Sequence, residues 1–229
     1  MLLKVTAWLL LLPGLLAGCA TPTKMAYSDE FKTVVKPSDA VFLMTATTKN
    51  TYHPSFQPRL LLVNVEKAGA KEKADRFNFT MDKQARLKEA DSHEEGNSYL
   101  LRLQLPPGHY VIRGLTCLSG HFPIIGTFFA PLHEELTVTQ PGVFYLGHVD
   151  ATVRERTGGE FKAGPSIPLI DQAAAGASGG TFDVLVSDRW DVDEATFRST
   201  FAPLGKASVE KAILRPFDRA LAQDWWEKH

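Results

Sequence analysis

From Ala40 onward, apolar and polar positions mostly alternate with period two, the signature of strands with one buried face. Ala40 to Thr47 is nearly all apolar and predicts a strand buried on both faces. Arg59 to Glu66 starts the same way and ends in alternation. Between Arg76 and Asp82, Phe77, Phe79 and Met81 share one side. Tyr99, Leu101, Leu103 and Leu105 alternate likewise, and Pro106-Pro107-Gly108 then predicts a turn into a return strand from His109 to Leu118. Proline presets its own φ and glycine accepts a positive one, which suits that turn. Glu135–Thr139, the turn Gln140-Pro141-Gly142 and Val143 to about Arg154 predict a second such pair. His121 to His133, carrying Pro123, Gly126 and Pro131, reads as a loop or an irregular strand. Phe182, Val184 and Val186 mark a last strand.

The period then becomes helical. Asp191 with Glu194 forms a capping box, and Trp190, Phe197, Phe201 and Leu204 lie near one stripe. Pro203 places the end of that helix near Ala202. Ser208 to Leu214 predicts a short second helix. Pro216 suits the first turn of a third, with Phe217, Leu221 and Trp225 recurring every four residues. The stretch 158–180 holds the small-residue run from Ala173 to Gly180 and reads as a long loop with a short helical turn. Eight strands followed by two or three short C-terminal helices, with closely spaced turns, predict a mainly β protein built as an antiparallel β-sandwich.

At the amino terminus, Met1–Lys4 carries one cation, and Val5 to Ala17 is apolar, too short to cross a bilayer as a helix. It ends in Leu16-Ala17-Gly18-Cys19, which resembles a bacterial lipobox: small residues that fit a peptidase groove, then a cysteine whose sulfur accepts diacylglycerol. The resemblance implies a signal peptide over 1–18 and a mature chain that begins at lipidated Cys19. Ala20, where an aspartate would imply retention at the inner membrane, implies the periplasmic side of the outer membrane. Residues 19–39 then read as a tether, reaching roughly 60 Å at about 3.3 Å per residue, unless Phe31–Val35 adds an edge strand. Residues 40–190 form the sandwich and 191–229 the helices packed on it.

Composition changes this picture little. The 229 residues are 44% apolar and 22% charged, enough for a sizeable core. The net charge is -1, and the leader holds only Lys4, so neither nucleic acid nor an anionic membrane is favoured by the bulk charge. No polybasic cluster adjoins the leader, leaving the lipid to hold the membrane. Cys117 is the only other cysteine and sits in an apolar strand, so a buried thiol is expected and no internal disulfide.

Chemistry-bearing patterns are few. Gly176-Ala177-Ser178-Gly179-Gly180 matches G-x-S-x-G, but a nucleophile elbow needs a strand before the serine and a helix after it; here the order is reversed. His148, Asp150 and Arg154 share a strand face, and His133 adjoins Glu134 and Glu135, yet no paired ligand spacing supports a metal. No cofactor is expected. Phe122, Ile124, Ile125, Phe128 and Phe129 form the best candidate partner surface if exposed, or core if folded inward. Trp226 raises the same question, since Trp225 is expected to pack with Phe217 and Leu221.

The stretch from Leu105-Pro106-Pro107-Gly108-His109-Tyr110-Val111 to Pro141-Gly142-Val143-Phe144-Tyr145-Leu146-Gly147-His148-Val149, with Asp188 and the helix after it, resembles a pattern in uncharacterised bacterial lipoproteins. It implies an immunoglobulin- or transthyretin-like sandwich and carries no catalytic residue, because its motifs are turn-and-strand devices. The expected function is a non-catalytic interaction or structural module, contacting another envelope protein. A ligand carrier or sensor for a lipid, glycan or metal, and an accessory lipoprotein of an envelope-spanning machine, are the alternatives.

Overall fold

The computed structural model describes residues 22–121, 123–165 and 170–228. Leu16, Ala17, Gly18, Cys19 and Phe122 lie outside the described residues. In chain order the strands are β1 (Pro22–Lys24), β2 (Ala40–Asn50), β3 (Arg59–Lys67), β4 (Arg76–Thr80), β5 (Arg86–Ser92), β6 (Gly96–Leu105), β7 (Gly108–His121), β8 (Ile124–Val138), β9 (Gly142–Glu155), β10 (Gly180–Ser187) and β11 (Val209–Lys211). The helices are α1 (Ile170–Ala174), α2 (Trp190–Thr200) and α3 (Arg219–Lys228). The protein is thus mainly β, with two sheets and three short helices among the described residues.

The first sheet runs β1-β4-β3-β7-β8 and the second β10-β9-β2-β6-β5, with β11 joining β9 beyond the end of β10. One core draws on both: Phe42, Met44, Leu101, Leu103, Leu146 and Val149 from the second sheet, and Val63, Phe79, Ile112, Leu115 and Phe128 from the first. Cys117 is fully buried there, and burial pushes its thiol pKa up.

Several expectations are corrected. The turns at Pro106-Pro107 and Pro141 do not close hairpins; each carries the chain from one sheet to the other. Proline cannot donate to a strand ladder, which suits an arch, and the Tyr110 hydroxyl closes the first by donating to the Pro106 carbonyl at 2.8 Å. As β9 thereby starts at the same end as β2, the two pair parallel over a long register, so the sheets are mixed rather than purely antiparallel. The short β1–β4 and β11–β9 ladders are parallel as well.

Of the two readings of 121–133, a loop or an irregular strand, the second holds for residues 124–133, which are the first part of β8. Pro131 sits beside a bulge in which Leu132 and His133 face Arg113 alone, with His133 at φ 54. Residues 161–165 and 170–177 lie along the outer edge of β8: Phe129 N donates to the Ala163 carbonyl at 2.8 Å and Thr127 N to Gln172 Oε1 at 3.1 Å. An edge covered in this way can be apolar on both sides, which is why its alternation was masked.

Ser208–Leu214 is extended rather than helical. A helix of that length has little stability of its own, whereas β9 offers free backbone at Val143–Tyr145, where β11 pairs. The residues after Pro22 are not a free tether either. β1 pairs with β4, and Met25 and Ala26 are fully buried. Phe31–Val35 forms no strand. At α2 the cap is Asp188, whose Oδ1 accepts Trp190 N at 3.0 Å, while Asp191 lies in the first turn.

Candidate functional site

The outer face of the second sheet is covered by the 25–35 segment and α2. Val41, Leu43, Leu100, Tyr145, Trp190, Phe197, Phe201 and Leu204 form a second apolar cluster between them. The run Ala40–Thr47 is nearly all apolar because β2 is buried on both sides.

Two polar centres lie within this outer layer. In the first, Arg102, fully buried, pairs with the equally buried Asp82. Arg102 Nε also donates to the Ala26 carbonyl at 2.9 Å and Nη1 to the Leu100 carbonyl at 3.0 Å, and its guanidinium lies 4.2 Å from the Phe201 ring centroid. Burial pushes the Asp82 carboxyl up, but hydrogen bonds and charge from Arg102 and a hydrogen bond from Ser28 outweigh it, so its pKa is lowered. An ion pair removed from water survives only when its remaining polar atoms are satisfied, as they are here.

The second centre joins β2 and β9 to α2. Thr45 Oγ1 donates to Asp193 Oδ2 at 2.5 Å and lies 2.9 Å from His148 Nδ1; the Tyr145 hydroxyl donates to the same Asp193 oxygen at 2.6 Å. With the carboxylate accepting twice, the consistent tautomer has His148 Nδ1–H donating to Thr45. Burial, then the nearby Arg189 charge, lowers the His148 pKa, which keeps the ring neutral near pH 7. A bulge at Leu146-Gly147, with Gly147 at φ 102, breaks the alternation of β9 and puts His148 on the same side as Tyr145. The order of groups argues against nucleophilic catalysis: a nucleophile must donate to histidine, and the threonine proton is committed to Asp193. The arrangement is suited to fastening α2 onto the sheet.

Beside the first centre a cleft of about 600 Å³ opens between the 27–33 turn, Gln84 and the end of α2. Tyr27, Ser28, Asp29, Thr33, Gln84 and Thr200 supply its polar wall, and Phe201 its apolar one. The wall is braced: Asp29 N donates to Gln84 Oε1 and Gln84 Nε2 to Asp29 Oδ2, both at 2.9 Å. Tyr27 and Lys32, at φ 56 and 49, hold left-handed backbone that such residues adopt at a cost.

The partner surface expected from sequence divides. Phe128 is core, with no exposure, because it faces the other sheet and meets Phe182. Phe129 is half-buried against Trp225, whose ring also meets His133 at 4.9 Å. Trp226 packs on the core instead of pointing away. Among the described residues of that surface only Ile125, 42% exposed, is open, with Ile124 half-buried beside it. Ser178 lies in the turn before β10. No group of metal-ligating side chains is present among the described residues, and no helix among them is long and apolar enough to cross a membrane.

The chain matches no known family model, no curated protein and no solved structure.

Proposed function

We propose that the protein is a lipid-anchored envelope lipoprotein, held through Cys19 on the periplasmic side of the outer membrane. Its body acts there as a non-catalytic binding module that contacts another envelope protein. The lipobox-like Leu16-Ala17-Gly18-Cys19 supports the anchor. The two sheets sharing one core support a β-sandwich. The Tyr110 hydroxyl bonded to backbone four residues upstream resembles the tyrosine corner of immunoglobulin-like sandwiches.

The observation that carries the binding role is the braced cleft beside Arg102 and Asp82. Its hydroxyls, amide and carboxylate fit a polar ligand, a peptide segment of the partner in the first place. The same lining favours a glycan over a lipid in the alternative role of carrier or sensor. A photo-crosslinking residue at Lys32, on the rim, tests the role in intact cells carrying the full chain. A reproducible protein adduct, lost when Gln84→Ala and Ser28→Ala open the wall, is expected. Adducts that ignore those changes would overturn the assignment.

A further inference from the structure

The fold fixes which end of the body meets the membrane, an inference that rests on Cys19 being lipidated. Only Ala20 and Thr21 separate Cys19 from Pro22, where β1 begins. Fully extended, three residue steps span at most about 10 Å. The distance available is therefore far shorter than a tether running to Asp39 would allow.

The direction follows from register. β1 runs parallel to β4 with Pro22 opposite Asn78, so its start points toward Arg76 and the β3–β4 turn. Lys67 lies opposite Tyr110 and Glu66 opposite Arg76, so the start of β7 shares that end. The β7–β8 turn is at the other end of strands that rise ~3.3 Å per residue, roughly 35 Å away.

The end near Pro22 also gathers cations that are scattered in the sequence. Lys67, Lys71, Lys73 and Arg76 are exposed on or beside the β3–β4 turn, with Arg113 next to them. Four carboxylates face these five cations, Glu135 among them on β8 opposite Val111. Asp75 is held by Lys67 at 3.1 Å, and Glu66 by Arg113 and, at 4.0 Å, by Arg76. Glu72 is exposed between Lys71 and Lys73, and neither lysine makes an ion pair among the described residues. The net sign is positive on a chain whose total is -1. Long lysine stems can lie along an interface with their charge among headgroups.

We propose that the β3–β4 turn is a contact surface for anionic lipid headgroups, which stands the body upright on the membrane with the β7–β8 turn directed away from it. The test uses the full lipidated chain in vesicles of phosphatidylethanolamine and phosphatidylglycerol. Ala74→Cys or Ile125→Cys carries a nitroxide; Cys117 is buried and does not compete for label. The label at 74 should be several-fold more accessible to lipid-dissolved oxygen, relative to an aqueous nickel chelate, than the label at 125. Adding Lys71→Glu and Lys73→Glu, or replacing phosphatidylglycerol with phosphatidylcholine, should abolish that difference. Equal accessibility at the two positions in vesicle-bound protein would overturn the proposal, as would indifference to charge reversal. Protein that stays in solution instead would sink the anchor reading first, and this inference with it.

Discussion

The two faces of the second sheet are built from the same strands and differ in kind. The inner face is apolar over most of its length, with Phe42, Met44, Leu101, Leu103, Leu146 and Val149 closing on the first sheet, and carries buried polar groups only at one end, at Thr48, Asn50, Asn97 and Tyr99. The outer face is covered too, but its cover encloses the Arg102–Asp82 pair and the Thr45, Tyr145, His148 and Asp193 cluster. Water exclusion holds the apolar stretch of the inner face, and any well-packed hydrophobe of suitable volume meets that need there. The outer face depends on particular partners, and the one large cleft described adjoins it. The contrast predicts that inner-face changes shift stability evenly with pH, whereas outer-face changes alter its pH dependence.

The largest effect is expected at the buried pair. Asp82→Ala strands the Arg102 charge out of water and should cost about 3–5 kcal/mol in denaturant unfolding, with Asp82→Leu plus Arg102→Met recovering most of it. Because the folded Asp82 pKa is depressed, its contribution is complete above the unfolded value of about 3.9 and is lost as pH falls below it. The double variant should lose that acid sensitivity. On the inner face, Leu103→Ala should cost about 2–5 kcal/mol by leaving a cavity, by the same amount at about pH 3, below the unfolded carboxylate value, as at pH 8. Equal pH profiles for the two variants would break the comparison.

Smaller effects sharpen it. A Cβ on Gly126 would stand 2.4 Å from Ala175 Cβ, in the stretch 170–177 that lies beside β8. Gly126→Ala should therefore cost about 1–3 kcal/mol and speed amide exchange in that segment, leaving α2 protected. At His148 the pKa is lowered by burial and then by Arg189, against the pull of Asp193 and Asp150. Between the folded pKa and about 6.5 the folded state holds fewer protons, so stability falls as pH drops through 6.5. His148→Asn keeps a donor toward Thr45; it should cost about 1 kcal/mol at pH 8 and flatten the profile below 6.5.

Much of the scaffold was legible because period two survives wherever only one face is buried. β4, β6 and β10 show that alternation, β7 and β9 follow from the turns before them, and the burial of Cys117 follows from its place in an apolar strand. The covered edge hid the first half of β8, where Gly126 and Pro131 also broke the pattern. β5, Arg-Leu-Lys-Glu-Ala-Asp-Ser, is a charged edge strand with too little burial to leave a signature. The turns at Pro106 and Pro141 were legible as turns, but local chemistry does not say whether the next strand joins the same sheet. The candidate site was hidden more deeply: the cleft joins residues near 28, 84 and 200. The one available signal for the histidine cluster was Gly147 inside a strand, a mark of a bulge, which shifts His148 onto the face of Tyr145.

The first residues of the body bear most directly on its role. Pro22 already pairs with Asn78, so a lipid on Cys19 would hold the two sheets close to the bilayer, on a leash of about 10 Å. The central claim is that Cys19 is the anchor, and the direct measurement is fractionation of cells expressing the full chain or its Cys19→Ser form. The wild type is predicted to sediment with outer-membrane vesicles and to incorporate labelled palmitate, while Cys19→Ser does neither. Both forms distributing alike, with no label in either, would contradict the account.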